Sequence, residues 1–310
     1  AYDFEKDEFV DYSKRTDIVF FANPYDAMAD KYSRIKFLSE KGVLPVYISY
    51  GMMSEYYTRN HIIDLPSLNL AWKIFADTQE NFDEYSTYTK HKGRNVVLSG
   101  YAKLDNLAEV ARIERKRKKI IIAPHHTIND DVLPLSNFFE YADLFLELPK
   151  RYSNIDFVFR PHPLLFIKLK QDKFWGKEKT ERYLENIQSN QNVEYQDGGD
   201  YFDTFVNSDG IIHDCASFLI EYMFTGHPPC FLLRDDNAKE SIFTELGVKC
   251  LSYYYQAFNA DNIIAYLNNV VVSGDDFMKE KRDGFVNGHL KFNYPHISDY
   301  IISHLKETLQ

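Results

Sequence analysis

The chain has 310 residues, 45% of them hydrophobic and 26% charged, with 23 Tyr, 24 Phe and a formal charge of −10. So much apolar surface excludes a disordered chain, and the length suits two domains better than one core. The acidic balance argues against a nucleic-acid binder with wide basic coverage, so an anionic ligand must be met by a few placed groups.

In chain order, short apolar or β-branched runs alternate with helix-compatible stretches. Strands are predicted at 17–22 (DIVFFA), 43–49, 72–76 and 95–100, with helices at 27–41, 78–91 and 103–117. ARIERKRKKI, 111–120, then gathers six Arg or Lys residues. It reads as a solvated helix end whose cations complement the dipole, or more sharply as a basic patch for anionic lipid or polymer. Beyond it come predicted strands at 119–124, 155–160, 209–214, 229–233 and 249–253, and helices at 135–151, 176–189 and 216–225. The alternation predicts an α/β fold of two Rossmann-like lobes, 1–114 and 115–310, with parallel sheets facing a central cleft and the final helices packing back on the first lobe.

Cys215, Cys230 and Cys250 are odd in number and lack CxxC spacing, so neither a disulfide framework nor a thiolate zinc site is expected, and a reducing cytoplasm fits. No run approaches 18 apolar residues and the first ten are acidic, so neither a membrane span nor a signal peptide is expected. The first residue is Ala and not Met, as in a piece excised from a longer chain.

Ligands of doubly wound folds bind at the carboxyl ends of parallel strands, which makes the residues after each strand the informative ones. KIIIAP leads into His125-His126-Thr127, IDFVFR into Pro161-His162-Pro163, and DGIIHD, ending in His213-Asp214, into Cys215-Ala216-Ser217. Two prolines flank His162, remove two N–H groups and stiffen φ, giving the imidazole a defined direction. It can act as proton donor to phosphate or as a neutral hydrogen-bond donor, or simply as a loop cap. Arg160 offers a permanent cation or an ion pair to an acidic neighbour such as Asp214. Ser217, early in a helix, can place its hydroxyl beside free N–H groups on a phosphate, or serve as a plain N-cap. Glu221, four residues on, can accept from the vicinal hydroxyls of a ribose or face solvent. HxH and HExxH spacings are missing, as is an acidic DxD pair at a strand end, so a site without metal or cofactor is expected. GxGxxG, GxxxxGK[ST] and GxSxG are also absent, which lowers dehydrogenase, P-loop and hydrolase readings.

Taken in order, GYAKLDNL (100–107), IIIAPHHT, FRPHP and NSDGIIHDCASFLIEYMFTGHPPCFL resemble the motifs of the CDP-glycerol glycerophosphotransferase family, the teichoic acid and capsule polymerase group with a GT-B-like fold. The likeness runs from about Asp17 to about Asp236, with His162, Asp214, Ser217, Glu221 and Pro228 at motif positions. It departs at three places. Tyr50 stands where the family carries a first-lobe histidine, Ala216 replaces the first of paired serines, and His126-Thr127 replaces a tryptophan-arginine pair.

The resemblance implies transfer of a polyol phosphate, glycerol or ribitol phosphate, from a CDP-activated donor to a hydroxyl of a cell-surface polymer or glycan, with CMP leaving. It implies His162 and Arg160 on the diphosphate, His125, His213, Asp214, Ser217 and Glu221 around the donor, and His126 with the catalytic groups. For the base, Asp26 in ANPYDAM is the first candidate and Tyr50 the second; Asp26 can equally be a helix cap. Action at the cytoplasmic face, with peripheral contact to anionic membrane, would follow. Two other readings stand beside it: a GT-B glycosyltransferase using a CMP- or UDP-sugar, and a non-catalytic nucleotide- or glycan-binding module of a larger polymerase.

Overall fold

In the run KIIIA every residue after Lys119 is buried, which a strand achieves only when both faces of its sheet are covered. The computed structural model describes residues 2–310. A small antiparallel hairpin, β1 (Tyr2–Asp3) and β2 (Glu8–Phe9), precedes two parallel sheets. The first runs in the order β3 (Ile18–Phe21), β4 (Leu44–Ile48), β5 (Lys73–Ala76), β6 (Val96–Leu98). The second comprises β7 (Lys119–Ala123), β8 (Asp156–Phe159), β9 (Val193–Tyr195), β10 (Gly210–His213), β11 (Pro229–Leu232) and β12 (Tyr255–Ala257), ordered β12-β11-β10-β7-β8-β9.

That second order is the doubly wound one, and its direction reverses between β7 and β10, where ligands bind in such sheets. Ile122 pairs with Ile212 and Ala123 with His213, so β7 and β10 end side by side. One face of the sheet, with Ile120, Ile122, Phe157, Phe159 and Ile212, packs on helix Phe138–Arg151, whose buried Phe138, Tyr141, Ala142, Phe145 and Leu148 recur at helical spacing.

The chain divides into two units, Ala1–Ala108 with Asn287–Gln310, and Glu109–Val286. The first unit therefore ends six residues before the boundary drawn from sequence at 114, and the last 24 residues belong to it. Gly100 and Asp105 explain how that last segment is held. Asp105 accepts the N–H groups of Ile297 (3.0 Å) and Ser298 (2.7 Å), capping helix Ile297–Thr308. Gly100 lies at φ +93°, and a Cβ there would sit 2.3 Å from the Phe292 carbonyl oxygen.

Several predicted elements change. The stretch 249–253 is not a strand: Thr244 caps helix Glu245–Leu251 by accepting the N–H of Gly247, and the strand forms later, at Tyr255–Ala257. The helix expected over 103–117 ends at Ala108, so the basic cluster is no helix terminus. Four of its cations are held by neighbours. Arg115 and Lys118 both reach Asp209 at 3.3 Å, Arg117 reaches Asp156 at 3.0 Å, and Arg112 donates to the Thr225 carbonyl at 2.7 Å. They tie the entry of β7 to the neighbouring strands. The expected helix 27–41 is interrupted, with a 3₁₀ turn at Asp26–Met28 and a helix only over Ile35–Glu40. Helix 216–225 tightens to a 3₁₀ turn after Glu221 and stops at Gly226, φ +74°, the left-handed C-cap that glycine supplies without strain. Among the described residues no helix is long and apolar enough to cross a membrane.

Candidate functional site

The carboxyl ends of β7, β8 and β10 bring together most of the residues singled out from sequence. After β7 the chain turns at Pro124, and the His125 N–H donates to Asp214 Oδ1 at 2.6 Å. Asp214 Oδ2 accepts from the Asn137 N–H at 2.7 Å, at the head of helix Phe138–Arg151. One carboxylate, fully buried, thus crosses the reversal point and fixes both the histidine loop and the helix after it. Burial pushes its carboxyl up to about 7, opposed by the two N–H groups that favour the charged form. Asp214 acts on a ligand through these neighbours, since it has no exposed surface.

Three imidazoles converge on this rim. His126 stacks on His162 with centroids 3.9 Å apart and planes at 29°, and His125 meets them at 4.3 and 5.1 Å. The aim of His162 comes from its backbone as well as its prolines: its N–H donates to the Pro124 carbonyl at 3.0 Å, and its Nδ1 accepts the Leu164 N–H at 3.1 Å. In the neutral ring the proton is therefore on Nε2, a donor turned away from helix Leu164–Leu169. His125 Nδ1 is 2.9 Å from Thr127 Oγ1, and the Ser136 hydroxyl donates to the His125 carbonyl at 2.8 Å. His126 Nδ1 is buried with no protein partner.

All three rings resist protonation. Burial, then the charges of neighbouring histidines and of Lys168, hold His126 down to about 4 and His125 well below its ordinary value; burial and Lys168 also lower His162. At neutral pH this is a patch of neutral rings beside one lysine. Lys168 had no place in the sequence expectations, because nothing in LLFIKLK marks it; only the fold of helix Leu164–Leu169 brings its charge within reach of the three rings. One nitrogen from each histidine lies within 4.8 Å of the others, a spacing that can hold a metal ion. The Nδ1 of His162, engaged by the Leu164 N–H, leaves its Nε2–H as a donor that could serve an oxyanion.

Other expected residues lie elsewhere. His213 alternates onto the opposite face of β10 and is fully buried against Phe231 and Tyr254, with centroids 4.9 and 5.7 Å away. Burial drops it to about 3, so it stays neutral and cannot reach a donor. Arg160 is 6% exposed and donates to Gln196 Oε1 (2.7 Å) and the Gly199 carbonyl (2.6 Å), so its partners are these and not Asp214. Its guanidinium lies over the Tyr201 ring, and the Tyr201 hydroxyl donates to Glu221. Glu221 is buried, whereas Ser217 is exposed on the first turn of helix Ala216–Glu221. The two do not share the open face that their spacing suggested.

In the first unit, Asp26 uses both carboxylate oxygens on backbone. Oδ1 accepts the Ile35 N–H at 2.6 Å and Oδ2 the Lys36 N–H at 3.2 Å, so it caps helix Ile35–Glu40 from nine residues upstream. Tyr50 is half-exposed, and burial together with Tyr25 raises its hydroxyl far above the ordinary range, which keeps it protonated.

No protein-family model matches the chain, and no curated protein matches its sequence. Solved structures do match its fold. UDP-GlcNAc 2-epimerase from Neisseria meningitidis bound to UDP-GlcNAc aligns with TM-score 0.59 at 14% identity, over 94% of this chain and 75% of that one. The S. aureus MnaA–UDP co-structure aligns with TM-score 0.60 at 15% identity, over 96% and 77%. The wall teichoic acid polymerase TagF aligns with TM-score 0.60 at 13% identity, over 96% and 85%. What the chain shares with them is the fold: α/β, with parallel sheets, of GT-B type.

Proposed function

We propose that the chain is a transferase that moves a polyol phosphate, glycerol or ribitol phosphate, from a CDP-activated donor to a hydroxyl of a polymer or glycan. The observation that carries this reading is the gathering of His125, His126 and His162 at the reversal point of the second sheet, neutral and beside Lys168. A nucleoside diphosphate brings negative charge to oxygens that need donors. The His162 Nε2–H supplies one, held in direction by Pro124 and Leu164. Lys168 supplies the cation that Arg160, held by Gln196 and Gly199, does not. The order of motifs resembling the glycerophosphotransferases and the fold shared with TagF support the same class.

In the proposed step the acceptor oxygen forms a bond to the distal phosphorus and gives up its proton. The bond from that phosphorus to the bridging oxygen breaks, and its electron pair leaves with CMP. Charge grows on the bridging and nucleotide phosphate oxygens, where the imidazole donors act, each worth about 10²- to 10³-fold in rate. Ser217 adds a hydroxyl. Glu221 and Arg160 act through Tyr201, shaping the loop and not touching the donor.

A second reading, a GT-B enzyme acting on a CMP- or UDP-sugar, is favoured by one observation: the epimerase bound to UDP-GlcNAc and MnaA with UDP align as well as TagF does. The same donors would serve, with substitution at a sugar carbon. The experiment offers the purified chain CDP-glycerol, CDP-ribitol, CMP-sugars and UDP-sugars with a glycan acceptor, in EDTA and with added Zn²⁺, and identifies the nucleotide released. CMP from a CDP-polyol is expected. Release of UDP alone overturns the proposal, and tight CDP binding without turnover would mark a binding module.

A further inference from the structure

A pocket of about 450 Å³ lies beside the edge strand β12 in the unit Glu109–Val286, and none of the three histidines lines it. Sites for small ligands span about 300–1,000 Å³. Tyr255 and Gln256 of β12 line it, with Asn262 of helix Ala260–Ala265 and Asn269 of the π-helical stretch Tyr266–Val272 that continues this helix. Such π turns are rare and occur frequently at functional sites. Asp275 and Phe277, from the loop that follows, complete the wall.

That loop is fixed by the protein itself. Gly274 takes φ +79°, in the left-handed region, and the Asp275 N–H donates back to the Asn269 carbonyl at 3.0 Å. Asp276 pairs with the fully buried Arg282 and accepts the Tyr255 hydroxyl at 2.9 Å. Its two neighbours stay outside: Asp275 is exposed, and Phe277 is 75% exposed, with its ring edge-to-face against Tyr255 at a centroid distance of 5.1 Å.

Unused hydrogen-bonding capacity surrounds these rings. Asn262 Oδ1 accepts the Phe258 N–H at 3.1 Å, which leaves its NH₂ as a donor. The Gln256 NH₂ donates to the Leu251 carbonyl at 2.8 Å, which leaves its oxygen as an acceptor. The side chains of Asn269 and Asp275 have no hydrogen-bond partner among the described residues. Donors and acceptors mixed around aromatic rings match a sugar, whose hydroxyls each give and take a hydrogen bond and whose C–H face is apolar. Asp275 is the one charged residue on the wall, so a ligand bearing phosphate meets a like charge there.

We propose that this pocket binds a neutral sugar ring, as a unit of a glycan chain, with Phe277 and Tyr255 against its C–H face and Asn262, Asn269 and Asp275 on its hydroxyls. The binding is independent of the transfer reaction proposed above.

The test titrates the full chain, labelled with ¹³C in its phenylalanine rings, with chitotriose, cellotriose and an oligomer of glycerol phosphate. F277L identifies the Phe277 signal, and a residue so exposed can be replaced without disturbing the core. A saturable shift of that signal with at least one of the two neutral sugars is expected. No shift with either up to millimolar concentrations overturns the inference, as does a shift with glycerol phosphate alone. F277A should bind the sugar about 3- to 10-fold more weakly, the worth of one aromatic contact, and N269A about 2- to 10-fold, that of one hydrogen bond. CDP affinity should be unchanged in both. Sugar binding as strong in F277A as in wild type would overturn the placement, and the wild-type titration needs no variant to fold.

Discussion

Asp214 Oδ1 accepts the backbone N–H of His125 at 2.6 Å, joining residues from the two strands between which the sheet reverses direction. Its other oxygen holds Asn137. Asparagine at 214 keeps one acceptor but turns an NH₂ toward a backbone donor, leaving a buried N–H unpaired. D214N is expected to lose about 1–3 kcal/mol of stability. The pH dependence separates this from generic damage. The carboxyl titrates at about 7 in the fold against about 4 when unfolded, so its contribution is fullest below 4 and is lost as pH rises through 7. Urea unfolding from pH 5 to 8 should show wild type losing stability across that window and D214N losing less.

Because His125, His126 and His162 are all held below their ordinary pKa, a diphosphate placed on them must raise those values. The bound form then holds more protons than the free one. CDP affinity should rise as pH falls from 8 to 6, with net proton uptake visible as a calorimetric heat that depends on the buffer's ionisation enthalpy. H162Q retains a donor but loses the titration, so its affinity should depend less on pH. Proton release on CDP binding would argue against this site.

Much of this arrangement was legible in the sequence, and the reasons are local. Apolar runs ending in His-His-Thr, Pro-His-Pro and Asp-Cys-Ala betray buried parallel strands and their rim, since strand period and proline are local signals. The roles of His213 and Glu221 were not legible. Whether a side chain at a strand end faces the rim or the core depends on pleat parity and on Tyr201, twenty residues away from Glu221 in the chain. Lys168 was missed for the same reason: a lysine in LLFIKLK carries no motif until neighbouring elements surround it. VEY at β9 was too short to register as a strand, and KCLSY was read with the wrong period because the Thr244 cap lies before it.

The glycine-to-aspartate spacing of GYAKLD, read as part of a family motif, has a structural role in holding the C-terminal segment. G100A forces a positive-φ alanine and drives its Cβ to 2.3 Å from the Phe292 carbonyl, a backbone atom that cannot simply rotate away. D105A removes the cap of helix Ile297–Thr308, at about 1 kcal/mol. Both should speed hydrogen exchange or proteolysis within 287–310. G100A should be the more severe, at about 1–3 kcal/mol for the strained backbone alone. Unchanged protection of that segment in G100A would contradict the close approach.

Asp26 stood first as the base from sequence, and its geometry gives it a different task. Each oxygen accepts one of the backbone N–H groups that open helix Ile35–Glu40, which makes the carboxylate a cap. D26N keeps one oxygen on the Ile35 N–H and loses the other contact, which should lower stability by about 0.5–1 kcal/mol. D26A should lose the whole cap, about 1–2 kcal/mol. Thermal unfolding measures both, and CMP release at a temperature where each is folded separates cap from base. Full turnover in folded D26N fits a cap alone. A loss of about 100-fold or more, without a matching fall in CDP affinity, would return the base to Asp26.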